Sequence, residues 1–184
     1  IECDLTVGRL AEDRFYIVTG TGFVTHDFHW IARNIPAGLE AELTDVTDTY
    51  AVLSLMGPCA RDVLARATSD DMSNAGFPFA TVRDIEIACV RVQALRITYV
   101  GELGWELHAP VEGAAIVYDR VMEAGAASGI ANAGYRAIET LRLEKGYRSW
   151  GADIGPDYTP LEAGLGWAVK LKSNQPFLGR EALE

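Results

Sequence analysis

Cysteine is scarce in this sequence, with three in 184 residues. Three cannot pair off completely, and neither a CxxC nor a Cys/His cluster occurs. That argues against a disulfide scaffold and a zinc or other structural metal site, and for a reducing compartment. No apolar run approaches the ~20 residues that cross a bilayer. No signal peptide stands at the start. Basic residues are outnumbered, 16 Lys and Arg against 26 Asp and Glu, for a formal charge of −10. Bulk binding to nucleic acid or anionic membrane is disfavoured, though a local basic patch is not. A phosphate loop is missing too: there is no GxxxxGK[ST], and no GxGxxG after a strand. The three histidines show no ligand spacing. What is present is ordinary. Hydrophobic residues make up 49% and charged residues 23%, enough for a core in one large domain or two small ones. The chain opens at Ile1 inside an alternating apolar/polar run and stops at Glu184 where a helix is starting. It reads as a piece of something longer.

The pattern along the chain predicts strands at residues 1–10 and 15–19, joined by a charged turn at 11–14. Gly20-Thr21-Gly22 breaks it, and a helix follows to about Asn34, stopped by Pro36 and Gly38. Phe23, Val24, Phe28, Trp30 and Ile31 share one face of that helix, with His26 and His29 toward the polar side. Strands are expected near 42–46 and 51–56, then a helix through Ala67 with Pro58 in its first turn. Residues 68–79 read as loop, a possible hinge that subdivides the chain into 1–75 and 76–184. Strands resume at 82–88, 90–100 and 105–109. Helices follow at about 112–127 and 135–147, then a Gly/Pro-rich loop and a last strand at 167–171. The strands cluster in hairpins, not in βαβ units, so the expected class is α+β with mostly antiparallel sheets.

Three features can carry chemistry. In residues 97–107, ITYVGELGWEL, Gly101 and Gly104 bracket a turn. A hairpin symmetric about it sets Tyr99 opposite Glu106 on one face. A carboxylate beside a phenol suits a planar heterocycle with adjacent N–H donors; a solvated surface hairpin is the plainer alternative. The second feature is Arg142, which falls between Tyr135 and Ile138 on the apolar face of its helix. A buried guanidinium needs a partner. Glu139, one turn away, is the structural choice, and a ligand carboxylate is the functional one. The third is Asp4, on the polar side of the first strand, which composition alone reads as an exposed acid.

Several segments, taken in order, resemble the folate-binding domain of aminomethyltransferases. They are IECDLTVGRL at 1–10, ITYVGELGWEL at 97–107 and RAIETLRLEKGYRSWGADI at 136–154. TPLEAGLGWAVKLK at 159–172 and FLGREAL at 177–183 complete the set. The wording is closer to that region of dimethylglycine and sarcosine dehydrogenases than to the glycine-cleavage T-protein, whose hairpin reads more like GYTGEDG. The resemblance implies a tetrahydrofolate-binding domain spanning 1–184. It would capture a one-carbon unit from oxidative demethylation of an N-methyl amine as 5,10-methylenetetrahydrofolate. By position, Asp4 matches the family's acid near folate N5 and N10, and Tyr99 and Glu106 match its pterin contacts. Aligning on LRLE puts Ile138 where the T-protein has its arginine, and makes Arg142 a framework residue of that motif. Arg148, Lys170 and Lys172 are then candidates for the folate tail.

The resemblance also implies an FAD-bearing amine-oxidising domain before Ile1 and a small barrel after Glu184. The isolated piece would fold more readily than it catalyses. The implied location is cytoplasmic, or the mitochondrial matrix in a eukaryote. Two alternatives remain: a stand-alone aminomethyltransferase of the glycine-cleavage type, and a non-catalytic folate-binding or scaffold module.

Overall fold

The computed structural model describes residues 1–184, and its contacts divide the chain into two compact units. One comprises Thr6–Tyr147. The other joins Ile1–Leu5 to Arg148–Glu184. The division is not at residue 75, because the larger unit's sheet pairs strands from both sides of that point.

The larger unit holds two antiparallel sheets. β1 (Thr6–Arg9) and β2 (Phe15–Val18) form a two-stranded ribbon. α1 (Val24–Asn34) follows it. The second sheet has the order β3-β6-β5-β4, with β3 at Tyr50–Met56, β4 at Val82–Ile87, β5 at Val90–Leu95 and β6 at Gly104–Pro110. α2 (Ala60–Ala67) sits between β3 and β4 in sequence, and α3 (Ala114–Gly125) and α4 (Tyr135–Glu144) come after β6. The architecture is α+β with antiparallel sheets, as the hairpin clustering predicts.

Alternation divides the four-stranded sheet into two unlike faces. On one, Leu55, Ile85, Ile87, Val92, Ala94, Trp105, Leu107 and Ala109 are buried with Val63, Leu64 and Ala67 of α2 and Val117, Val121 and Ala124 of α3. This is the core. Trp105 lies edge-on to Phe77, centroids 6.1 Å apart. The guanidinium carbons of Arg61 and Arg96 stand 5.6 and 5.5 Å from its centroid, an arrangement that favours cations over an aromatic face. The register sets Tyr50, Val52, Ser54, Gln93, Leu95, Glu106 and His108 on the opposite face. That face is largely polar.

Several expectations differ from the structure. Residues 42–46 form no strand. β3 is the edge of its sheet, and no neighbouring strand offers 42–46 a ladder. Residues 167–171 form no strand either. A 3₁₀ turn occupies Gly166–Ala168, and Trp167 is 82% exposed. The first strand starts at Thr6, so Asp4 precedes it. β4 and β5 meet through Ala88 and Cys89 with φ of 49° and 64°. Tight hairpins ask for such values, usually from Asn-Gly.

The smaller unit is mostly turns. Trp150 Nε1 donates to the Ile1 carbonyl at 2.9 Å, tying residues 1–5 to the segment after Arg148. α5 (Arg180–Leu183) is its short helix. Thr159 and Glu162 form a reciprocal box. Glu162 accepts from the Thr159 amide at 2.9 Å, and the Glu162 amide donates to Thr159 Oγ1 at 3.2 Å, as in capping boxes. The Thr159 amide and hydroxyl hold the Glu162 carboxyl below its ordinary range. A depressed carboxyl pKa contributes stability above the unfolded value and loses it as pH falls through the folded one. The protection of residues 159–165 against amide exchange, taken relative to the intrinsic rate at each pH, is therefore expected to fall in acid, once pH passes below about 4.3. Glu162→Gln should remove that dependence.

Candidate functional site

Glu106 projects from β6 onto the polar sheet face. Its cross-strand neighbours are Ser54 on β3 and Leu95 on β5. The symmetric hairpin is thus corrected: Leu95, not Tyr99, lies opposite Glu106. The cause is local. After Leu95 the chain stays paired with residues 80 and 81, Arg96 N donating to Thr81 O at 2.9 Å and Ala80 N to Arg96 O at 3.0 Å. Thr98 Oγ1 then accepts from the Val100 amide at 3.2 Å, a turn that competes with a ladder. Gly101 has φ +70°, and a Cβ there would meet Lys145 Cγ at 2.3 Å. The result is a bent loop at 96–103 instead of a continuing strand.

That loop is backed by the end of α4. Lys145 Nζ pairs with Glu102 at 3.1 Å. The ring of Tyr99 packs at 6.2 Å and 39° against Tyr147. The Tyr147 carbonyl accepts from Arg142 Nη1 at 2.7 Å. Arg142 is 1% exposed, and its Nε and Nη2 donate to the two Glu139 carboxylate oxygens. Glu139, the structural partner proposed for Arg142, is present. The face predicted around it is not the buried one. Tyr135 is 81% exposed, Leu141 is also exposed, and Arg142 itself fills the buried position of α4. Arg142 and Tyr99 belong to one packed set through Tyr147.

Asp4 lies in the smaller unit, exposed and ahead of β1. Arg148, Lys170 and Lys172 are exposed residues of the same unit.

Two residues near Glu106 were not among the sequence candidates. His108, two residues along β6, is 1% exposed and its Nε2 lies 3.6 Å from Glu106 Oε2. Tyr16 of β2 sits with its hydroxyl 3.0 Å from His108 Nδ1. Burial, then the charges of Tyr50 and Glu106, push the Tyr16 phenol above its ordinary pKa of 10. The i, i+2 placement of Glu106 and His108 was visible in the strand, but the partner from β2 was not. Asp27 is a further missed acid. It is buried in the first turn of α1, accepting from Thr19 Oγ1 and paired with His26 Nδ1 at 2.8 Å.

The Glu106 carboxylate on this half-open polar face is an acceptor that fits adjacent N–H donors of a flat ligand, while the buried Gln93 Nε2 beside His108 is a donor without a partner. The frame that carries this face is an antiparallel α+β domain. The model of the GCVT N-terminal domain matches residues 1–173, and the chain belongs to that family. It is 44% identical over 197 residues to mitochondrial sarcosine dehydrogenase of Mus musculus, covering 100% of this chain and 21% of that one. Mitochondrial dimethylglycine dehydrogenase of Mus musculus is 40% identical over 185 residues, with 100% and 21% covered. An aminomethyltransferase of Listeria monocytogenes is 37% identical over 180 residues, with 98% and 48% covered. The crystal structure of glycine cleavage system aminomethyltransferase T from Bartonella henselae superposes with a TM-score of 0.82 at 30% identity, covering 99% of this chain and 48% of that one. The chain thus spans about a fifth of the length of the dehydrogenases it matches. No helix is long and apolar enough to cross a membrane.

Proposed function

We propose that this domain binds tetrahydrofolate and captures on it a one-carbon unit released by oxidation of an N-methyl amine of the dimethylglycine or sarcosine type, giving 5,10-methylenetetrahydrofolate. The observation that carries the reading is the Glu106 carboxylate. It is only 19% exposed at its side chain, on a polar face in a chain whose relatives are named for those two amines. The oxidation itself belongs to a flavin-bearing part elsewhere in the full-length protein, where FAD is expected. The relatives' mitochondrial names favour that compartment over the cytoplasm.

When bound, tetrahydrofolate supplies the two amines that take up the carbon. The residues of this chain do the rest. Glu106 accepts the N–H donors of the aminopyrimidine edge, where charge-assisted bonds are short and directional. Tyr99, steadied by Tyr147, shapes the adjoining wall. Asp4 takes up the proton that a reacting amine must lose, directly or through water. Holding amine and carbon together turns a bimolecular step into a local one.

Titrating tetrahydrofolate into Glu106→Ala by calorimetry tests the anchor. Loss of charge-assisted hydrogen bonds is expected to weaken binding about ten- to a hundredfold. Unchanged affinity overturns it. The fold match to an aminomethyltransferase T supports a second reading, transfer from a carrier-bound aminomethyl group. Supplying the full-length protein with either donor and following methylenetetrahydrofolate separates the two.

A further inference from the structure

The Glu106 anchor needs only a carboxylate, yet the structure surrounds it with more. His108 stands beside it on β6, fully buried, in cross-strand register with Gln93 and Val52. One ring nitrogen, Nδ1, is 3.0 Å from the Tyr16 hydroxyl, and the two rings meet edge-on at 5.4 Å and 86°. The other, Nε2, is buried without a hydrogen bond. Its nearest charged atom is Glu106 Oε2 at 3.6 Å.

Burial raises the pKa of the Tyr16 phenol, which keeps its proton. If that phenol donates to Nδ1, Nδ1 is the acceptor and the single ring proton of the imidazole sits on Nε2. That N–H is the group facing Glu106. At 3.6 Å it is beyond hydrogen-bond length, and it is poised to close on the carboxylate.

We propose that Tyr16 and His108 are positioning residues for ligand binding. Tyr16 O–H donates to His108 Nδ1, and His108 Nε2–H closes on one oxygen of Glu106, turning the carboxylate toward the N–H donors of its ligand. The proposal rests on the reading of Glu106 as the pterin anchor. It adds that β2, which carries Tyr16, sets the strength of that anchor from outside the sheet.

The test compares tetrahydrofolate affinity in the full-length wild type and in Glu106→Gln, His108→Leu, His108→Gln and Tyr16→Phe, with a melting curve for each. His108→Leu is expected to weaken binding about tenfold, the loss of one hydrogen bond to a charged group. His108→Gln places an amide N–H near the Nε2 position and should recover affinity to within about threefold of wild type. In turnover, KM for tetrahydrofolate should rise more than kcat falls in His108→Leu. A merely structural histidine predicts affinity that tracks melting temperature, with Gln no better than Leu. That outcome overturns the relay. Nitrogen-15 shifts of His108 in the ligand-free protein give a readout without folate. Protonation at Nε2 is expected, with a change in Tyr16→Phe, and protonation at Nδ1 overturns the proposal. If Glu106→Gln weakens binding while His108→Leu does not, the relay fails and the anchor stands. If Glu106→Gln binds as tightly as wild type, the anchor fails and the relay loses its role, whatever the tautomer.

Discussion

Asp4→Ala is expected to slow formation of methylenetetrahydrofolate about a hundredfold or more, while tetrahydrofolate affinity stays within about threefold. A positioned acid or base contributes on that scale, and it acts on a moving proton, not on the bound ligand. The location suits the role. Asp4 is exposed to solvent and lies outside any ladder, so its carboxylate can exchange protons with water. Its backbone is not loose, because the segment is tied down by the bond from Trp150 to Ile1. Asp4→Asn keeps the shape and loses the proton acceptor, so it should fall as far as the alanine variant. The measurement is single-turnover product formation in the full-length protein, with calorimetric binding alongside. Turnover like wild type in both variants makes Asp4 an ordinary surface acid. An equal fall in affinity and turnover places it in binding instead.

Arg142→Ala is expected to destabilise the protein by about 3 kcal/mol, near the lower end for breaking a buried ion pair. The lower end applies because Glu139, at 43% side-chain exposure, can rehydrate. The Tyr147 carbonyl loses its part-buried donor as well, which adds to the cost. For a chain of this length such a change lowers the melting temperature by about 6–12 °C. Arg142→Lys should recover little. A single ammonium cannot reproduce the fork that reaches Glu139 with two nitrogens and Tyr147 with a third. The effect should spread to the loop that carries Tyr99, since Tyr147 lies against it. Thermal melting and tetrahydrofolate titration together decide the matter. A variant that melts like wild type and loses affinity moves Arg142 from framework to ligand.

Much of the fold is legible in the sequence where the signal is local. β2, the charged turn before it, α1 and the helix after Pro58 sit within a few residues of their predicted places, while β1 begins five residues later than predicted. Each depends on periodicity and breakers, which neighbouring residues supply. The failures share another cause. Residues 42–46 and 167–171 have strand-like composition, but a strand exists only where a partner offers a ladder. The 97–107 segment has a convincing hairpin pattern. Its outcome turned on Thr98 making a turn, on Lys145 closing over Gly101 and on residues 80–81 holding Arg96. None of those is a property of the pattern itself.

The site divides in the same way. Glu106, Tyr99, Asp4 and Arg142 are candidates drawn from residue type, strand side and motif order. The pairing of Arg142 with Glu139 follows from i, i+3 spacing, but the burial of Arg142 does not, since Tyr135 and Leu141 on its predicted face are exposed. His108 could not be singled out, because a histidine in a strand is ordinary until a second group meets it.

The scarcity of cysteine and of basic residues, the antiparallel α+β class and the family motifs were determined by the sequence itself. They depend on composition, short-range periodicity and word order. Only the tertiary structure decided that Leu95 rather than Tyr99 opposes Glu106. It also decided that Tyr99 rests on Tyr147 and that Tyr16 reaches His108 from a strand 92 residues away. Register and long-range contact are set by which surfaces exclude water together, and that choice is made by the whole chain at once.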